Sequence, residues 1–105
     1  MITQLKKGAL ELCVLCILEG GDKYGYELTA RISEGIEVTE GTIYPLLKRI
    51  RDEGYVDTYI KESSEGPPRR YYHLTDTGKQ HKTELHAQWA TFSSAINQLI
   101  KEAAQ

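Results

Sequence analysis

The hydrophobic period of this chain changes twice, and that change restricts the folds open to it more than any other feature. Up to about residue 53 the apolar residues recur at helical spacing, from Tyr55 to Leu74 they alternate, and beyond Thr75 they fall at steps of four and three. Periods of 3.6 and 2 place different residues on a common face, so a stretch patterned for one element does not bury its apolar side as the other. A small β-element must therefore sit between two helical parts.

In the first part, residues 4–19 are apolar on nearly every face after Leu10, which marks the central helix of a small fold, and Gly20-Gly21 ends it. Residues 23–34 carry Tyr24, Leu28 and Ile32 at i, i+4 and i+8, with Asp22 expected as the N-cap and Gly35 as the stop. A third helix is expected from its cap Thr39 to about Glu53, with the apolar stripe Ile43, Leu46, Leu47 and Ile50, and Gly54 closes it. Pro45 lies past the first turn, where it removes one hydrogen bond and crowds the carbonyl of Gly41; a slight kink relieves the strain.

The alternating stretch divides into two strands. "YVDTYIK" (55–61) sets Val56, Thr58 and Ile60 against Tyr55, Asp57, Tyr59 and Lys61, and "RRYYHL" (69–74) sets Arg70, Tyr72 and Leu74 against Arg69, Tyr71 and His73. The segment between them, with "ESSEGPP" (62–68), is too long for a two-residue turn, so a hairpin with a projecting tip is expected. Three helices followed by a hairpin make a mainly α fold with a small β-wing, a winged helix-turn-helix. The last helix, capped by Thr75, carries Leu85, Trp89, Phe92, Ile96, Leu99 and Ala103 as a heptad seam. A domain this small has little spare core to cover that seam, and the simplest cover is a second copy of the chain. Residues 1–74 are thus expected to form the winged domain and residues 75–105 a C-terminal dimerisation helix.

Several chemistries are set aside at this level. No run approaches the length of a membrane span. Lys6 and Lys7 ahead of an apolar stretch imitate a signal peptide, but Glu11 interrupts it and no cleavage pattern follows; a cytoplasmic protein without a membrane partner is expected. Cys13 and Cys16 form a lone C-x-x-C among Leu12, Val14, Leu15, Ile17 and Leu18, a setting that suits small hydrophobes of a core helix better than a redox or zinc pair. His73, His81 and His86 make no H-x-x-x-H pair, and no nucleophile–base or paired-carboxylate arrangement can be assembled. Neither a cofactor nor an enzymatic activity is expected.

What remains is the distribution of cations. The formal net charge is −2, and residues 40–73 hold six Lys or Arg against six Asp or Glu, so bulk charge says nothing about nucleic acid. Tyr44, Lys48 and Arg51, however, share a strip of the third helix at i, i+4 and i+7, with Thr42 and Arg49 beside them. Such donors suit a DNA major groove; the plainer alternative is a solvated face stabilised by pairs such as Lys48–Asp52. Arg69 and Arg70 follow Pro67-Pro68, which stiffen the loop end, so less entropy is lost when they grip a phosphate or enter a minor groove.

The blocks "KYGYEL" (23–28), "VTEGTIYPLLKRIRDEGYV" (38–56) and "GPPRRYYHLTDTGK" (66–79) resemble the signature blocks of PadR-like transcriptional regulators. The resemblance implies a homodimeric winged helix-turn-helix on double-stranded operator DNA with inverted-repeat symmetry. It implies Thr39, Thr42, Tyr44, Lys48 and Arg49 at the operator, joined by Tyr24 and by Arg69, Arg70 and Tyr71 of the wing. The single-helix tail is similar to that of the smaller subgroup, which includes multidrug-responsive repressors. On the residues alone Trp89 is a seam aromatic packing a dimer interface with Leu85, Phe92, Ile96 and Leu99. The resemblance adds a stacking platform for a small planar effector at Trp89 and Phe92, with Leu5, Gly8 and Leu12 lining its sides. A helix-turn-helix-like protein-interaction module is the competing reading, and the salt dependence of binding to duplex DNA separates the two.

Overall fold

In the computed structural model, which describes residues 8–105, the elements follow the order α1 (Ala9–Glu19), β1 (Lys23–Tyr24), α2 (Gly25–Ser33), α3 (Glu40–Asp52), β2 (Val56–Lys61), β3 (Arg69–Leu74) and α4 (Asp76–Ala103). The strands form one antiparallel sheet in the order β1-β3-β2. The result is the expected mainly helical fold with a small wing, followed by one long helix.

The periodic patterns of α1, α2 and α3 bury the faces they advertise. Leu10, Val14, Leu15 and Leu18 of α1 meet Leu28 and Ile32 of α2 and Ile43, Leu47 and Ile50 of α3. Val56, Tyr72 and Leu74 close this core from the sheet. Removing each such aliphatic side chain from water contributes about 1.5–3 kcal/mol, and Leu85 from the first turns of the tail packs against the same core. Alternation in the hairpin buries Val56, Tyr72 and Leu74 but leaves Ile60 and Arg70 exposed, because the wing extends beyond the helices that cover its base.

Three expectations are corrected. Residues 23 and 24 are not the first turn of a helix: Lys23 pairs with Tyr72 and Tyr24 with Tyr71 as a third strand. The helix starts at Gly25, with Tyr24 as its N-cap, and the Tyr24 amide donates to the Glu27 carboxylate at 3.1 Å. Asp22, expected as that cap, instead accepts hydrogen bonds from the Tyr59 hydroxyl at 2.7 Å and from His73 at 2.8 Å. The third correction is Cys16, which is exposed, whereas Cys13 is half-buried with its thiol pKa pushed up by burial and by Cys16. Of the expected first helix, residues 4–7 lie outside the described residues, as does Leu5.

The start of α4 is fastened to the junction between α3 and β2. The Thr75 hydroxyl accepts from the Gly78 amide at 2.9 Å, as an N-cap should, and donates to the Gly54 carbonyl at 2.8 Å. Farther along, Lys82 pairs with Glu19 at 2.7 Å. Leu85 packs against the core, and beyond it Trp89, Phe92, Ile96 and Leu99 are exposed.

Candidate nucleic-acid interface

The register of the sheet, which turn lengths alone do not reveal, places three tyrosines in a row. Tyr24 of β1 lies opposite Tyr71 of β3, and Tyr71 lies opposite Tyr59 of β2. Tyr24 meets Tyr71 edge-on at 5.5 Å, and Tyr59 stacks on Tyr71 at 5.6 Å between centroids. Such pairs contribute about 0.5–1.5 kcal/mol each beyond their burial. The Asp22 carboxylate fastens the row by binding both Tyr59 and His73, and those bonds, the one from His73 first, pull its pKa below the usual carboxylate range.

This row sets the wing cations. The Arg69 guanidinium lies over the Tyr24 ring at 4.6 Å from its centroid, and the Lys61 ammonium lies 5.4 Å from that of Tyr71. Arg70 donates to the Thr58 hydroxyl across the strand pair at 3.0 Å. A guanidinium has five N–H donors, so that bond orients the exposed Arg70 without consuming it. The proline pair is thus one of two restraints on these arginines, the other being the aromatic and hydroxyl surface of the sheet.

On the helical side, Tyr44 of α3 reaches over the start of α2. A Cβ added at Gly25 would lie 2.5 Å from Cε1 of that ring, so only glycine admits Tyr44 there. Burial, helped by Glu40, raises the phenol pKa of Tyr44. Tyr24, Gly25, Tyr44, Arg69, Arg70 and Tyr72 together line one groove of about 330 Å³. Helix, strand and wing, separate in sequence, therefore converge on one surface lined by two guanidinium groups and three tyrosines.

The strip expected on α3 divides in two. Tyr44 faces the wing. Thr42 and Arg49 face α1, where they share a cavity with Gly8, Leu10, Glu11, Pro45 and Leu46. Arg49 bonds Glu11 and, at 3.2 Å, Glu53. Its guanidinium is thus held between two carboxylates rather than displayed beside Tyr44. Lys48 pairs with Asp52 at 2.9 Å in the exposed helical bridge anticipated from spacing, which contributes only a few tenths of a kcal/mol. Thr39 is exposed at the start of α3.

A second cavity, of about 430 Å³, opens between α1 and α4. Gly8, Ala9, Leu12, Leu85, Gln88, Trp89 and Phe92 line it. It brings together four of the five residues expected around an effector, and adds Ala9, Leu85 and Gln88. The rings of Trp89 and Phe92 lie 6.3 Å apart. The described residues contain no cluster of three or more metal-ligating side chains, and none of their helices is long and apolar enough to cross a membrane.

The roles of Gly25, Asp22 and Glu11 were not legible in the sequence. Gly25 carries a signal only in hindsight, a glycine opening a helix where alanine would serve. Asp22 and Glu11 act on residues 37 to 70 positions away and leave no local pattern.

Comparison with known proteins agrees with this architecture. Residues 14–84 match the family described as transcriptional regulator PadR-like. A PadR-like transcriptional regulator from Bacillus cereus is 41% identical, with 93% of this chain and 97% of that one covered and a TM-score of 0.83. A PadR family transcriptional regulator from Eggerthella lenta is 31% identical over 92% of this chain and 86% of that one, with a TM-score of 0.82. The negative transcriptional regulator PadR of Bacillus subtilis is 30% identical over 97 residues, which cover 89% of this chain and 51% of that protein. This chain thus spans about half the length of that relative.

Proposed function

This chain belongs to the PadR-like family of transcriptional regulators, and from that premise we propose that it is a homodimeric repressor that reads an inverted-repeat operator and is released by a small planar ligand. The observation that carries the DNA reading is the single groove shared by Tyr24, Tyr44, Arg69 and Arg70. With α3 in a major groove, Tyr44 and Lys48 address base edges and phosphates there, and Thr39 stands at the N-terminal end of α3, where backbone amides favour a phosphate. Arg69, Arg70 and Tyr71 then reach the adjacent backbone or minor groove from the wing. Arg49, held by Glu11 and Glu53 with its side chain half exposed, ties α3 to α1 and offers its remaining donors to the operator.

The repressor sign follows the Bacillus subtilis relative, whose description is that of a negative regulator. Residues 1–74 serve as the DNA-binding unit and 75–105 as the dimerising one, with Leu85, Trp89, Phe92, Ile96 and Leu99 along the seam. The ligand reading rests on the cavity between α1 and α4, whose apolar walls and paired rings suit a flat aromatic molecule.

Selection of bound duplexes from a random pool tests the proposal. An inverted repeat with half-site centres about 10 bp apart, or a multiple of that, is the expected product. On that operator, Arg70→Ala lowers affinity for specific and random duplexes alike and reduces the slope of log K against log salt by about one. Selection of no sequence, or an Arg70→Ala variant with the wild-type slope, overturns it. Quenching of Trp89 by 1-anilinonaphthalene-8-sulfonate, competing with operator binding, tests the ligand reading separately.

A further inference from the structure

The Glu11 carboxylate is buried between three helices and uses its two oxygens on different ones. Oε1 accepts from the Arg49 guanidinium of α3, and Oε2 accepts from Nε2 of His81 of α4 at 2.8 Å. The His81 ring in turn stacks on Tyr55 at 3.9 Å between centroids with the planes 3° apart, and Tyr55 sits where α3 passes into β2. The tail is therefore joined to the middle of α3 through Glu11 and to its C-terminal end through Tyr55. Burial alone pushes the Glu11 pKa up, but the bonds from His81 and Arg49 outweigh it and hold the carboxyl ionised below its usual range.

The same residue adjoins the cavity between α1 and α4. Leu12 follows Glu11 directly and Ala9 precedes it by two, and both line the cavity from α1. His81 lies one turn before Leu85, which lines the cavity from α4. A molecule that widens this cavity must move α1 against α4. Glu11 travels with α1, so that motion either stretches its bond to His81 or draws Arg49, and α3 with it, away from the reading position. From this we infer that Glu11 is a positioning residue that transmits occupancy of the α1–α4 cavity to the DNA-reading helix. The inference rests on the operator-binding reading above but not on the identity of any ligand.

A built-in occupant tests it without one. Ala9→Trp fills the cavity from α1, and Glu11→Gln keeps the shape of the side chain while removing its charge. Operator affinity is measured for wild type, each single variant and the double variant, with melting temperatures confirming that all four fold. Ala9→Trp is expected to weaken operator binding about tenfold when Glu11 is present and less than twofold in the Glu11→Gln background, a non-additivity that a purely structural carboxylate does not produce. Equal losses in both backgrounds, or no loss from Ala9→Trp at all, overturn the inference. Because wild-type binding to the selected operator is measured in the same series, failure of DNA reading shows there and is not confused with failure of the coupling.

Discussion

Gly25 and Gly78 each stand where a methyl group has no room, yet the two obstacles differ in kind. At Gly78 an added Cβ would lie 2.0 Å from the Tyr55 carbonyl oxygen, a backbone atom that cannot turn aside, so the close approach of α4 to the α3–β2 junction depends on it. At Gly25 the obstacle is the far end of the Tyr44 ring, 2.5 Å away at Cε1 and 2.7 Å at the hydroxyl. A side chain that is 43% exposed can swing outward at small cost. Gly25→Ala is therefore expected to change stability by less than about 1 kcal/mol, while displacing the one phenol of α3 that shares a groove with both wing arginines. Operator affinity should fall about fivefold or more, a loss of the size that a misplaced direct contact costs. Thermal melting beside operator titration checks this. A variant that binds as tightly as wild type places Tyr44 outside the reading surface, and one that melts far lower shows that the ring does not swing aside.

Among the elements, what was legible in the sequence followed period and punctuation. In the stripe Ile43, Leu46, Leu47 and Ile50 all but the half-buried Leu46 are buried, and the cap at Thr75 stands as read. The alternation in β3 holds at Tyr72 and Leu74 though not at the exposed Arg70. Each is legible because it is written in neighbouring residues that share one face. β1 was not legible: two residues have no period, and a strand that short exists only because β3 offers it a partner. The division of the α3 strip was hidden for a related reason. Helical spacing puts Tyr44 and Arg49 on solvent-facing flanks alike, and only the packing of α1, with Glu11 38 residues from Arg49, distinguishes the two flanks. That packing has a measurable acid dependence. The folded-state pKa of Glu11 is lowered, so its unfolded counterpart takes up a proton first as pH falls. The stabilisation that Glu11 gives is then complete above the ordinary carboxylate range and is lost as pH drops from about 5 through the folded value. Urea midpoints measured at descending pH should fall more steeply for wild type than for Glu11→Gln, whose neutral amide has no such proton to bind. Parallel curves would mean that other carboxylates dominate acid unfolding.

For the whole molecule the decisive asymmetry is that the tail joins the core only as far as Leu85 and leaves the rest of its apolar seam exposed. α4 has 28 residues, about 42 Å of helix, and the long axis of the molecule, 59 Å against 28 and 20 Å, reflects its projection. Beyond Leu85 the seam residues Trp89, Phe92, Ile96 and Leu99 stay exposed, Leu99 at 66%. Contiguous apolar surface on this scale marks an association surface, and a heptad seam asks for a helix of matching pattern. In the proposed homodimer a second copy would supply one by symmetry, and a two-fold axis joining the tails would also place two copies of α3 on one face of a duplex. Since Leu99 contributes nothing to the core, Leu99→Asp should separate the copies without unfolding the winged domain. Sedimentation at micromolar concentration should give roughly twice the 11.9 kDa chain mass for wild type and the single-chain mass for the variant. The variant should keep a cooperative melt but lose operator affinity by two orders of magnitude or more, because each half-site is then bound without the effective concentration its partner provides, about 10²–10⁴-fold. A wild-type chain that sediments as a monomer and still binds its operator tightly would assign the seam another occupant. An unfolded Leu99→Asp variant would show instead that the winged domain depends on the part of the tail beyond Leu85, which lies off the core.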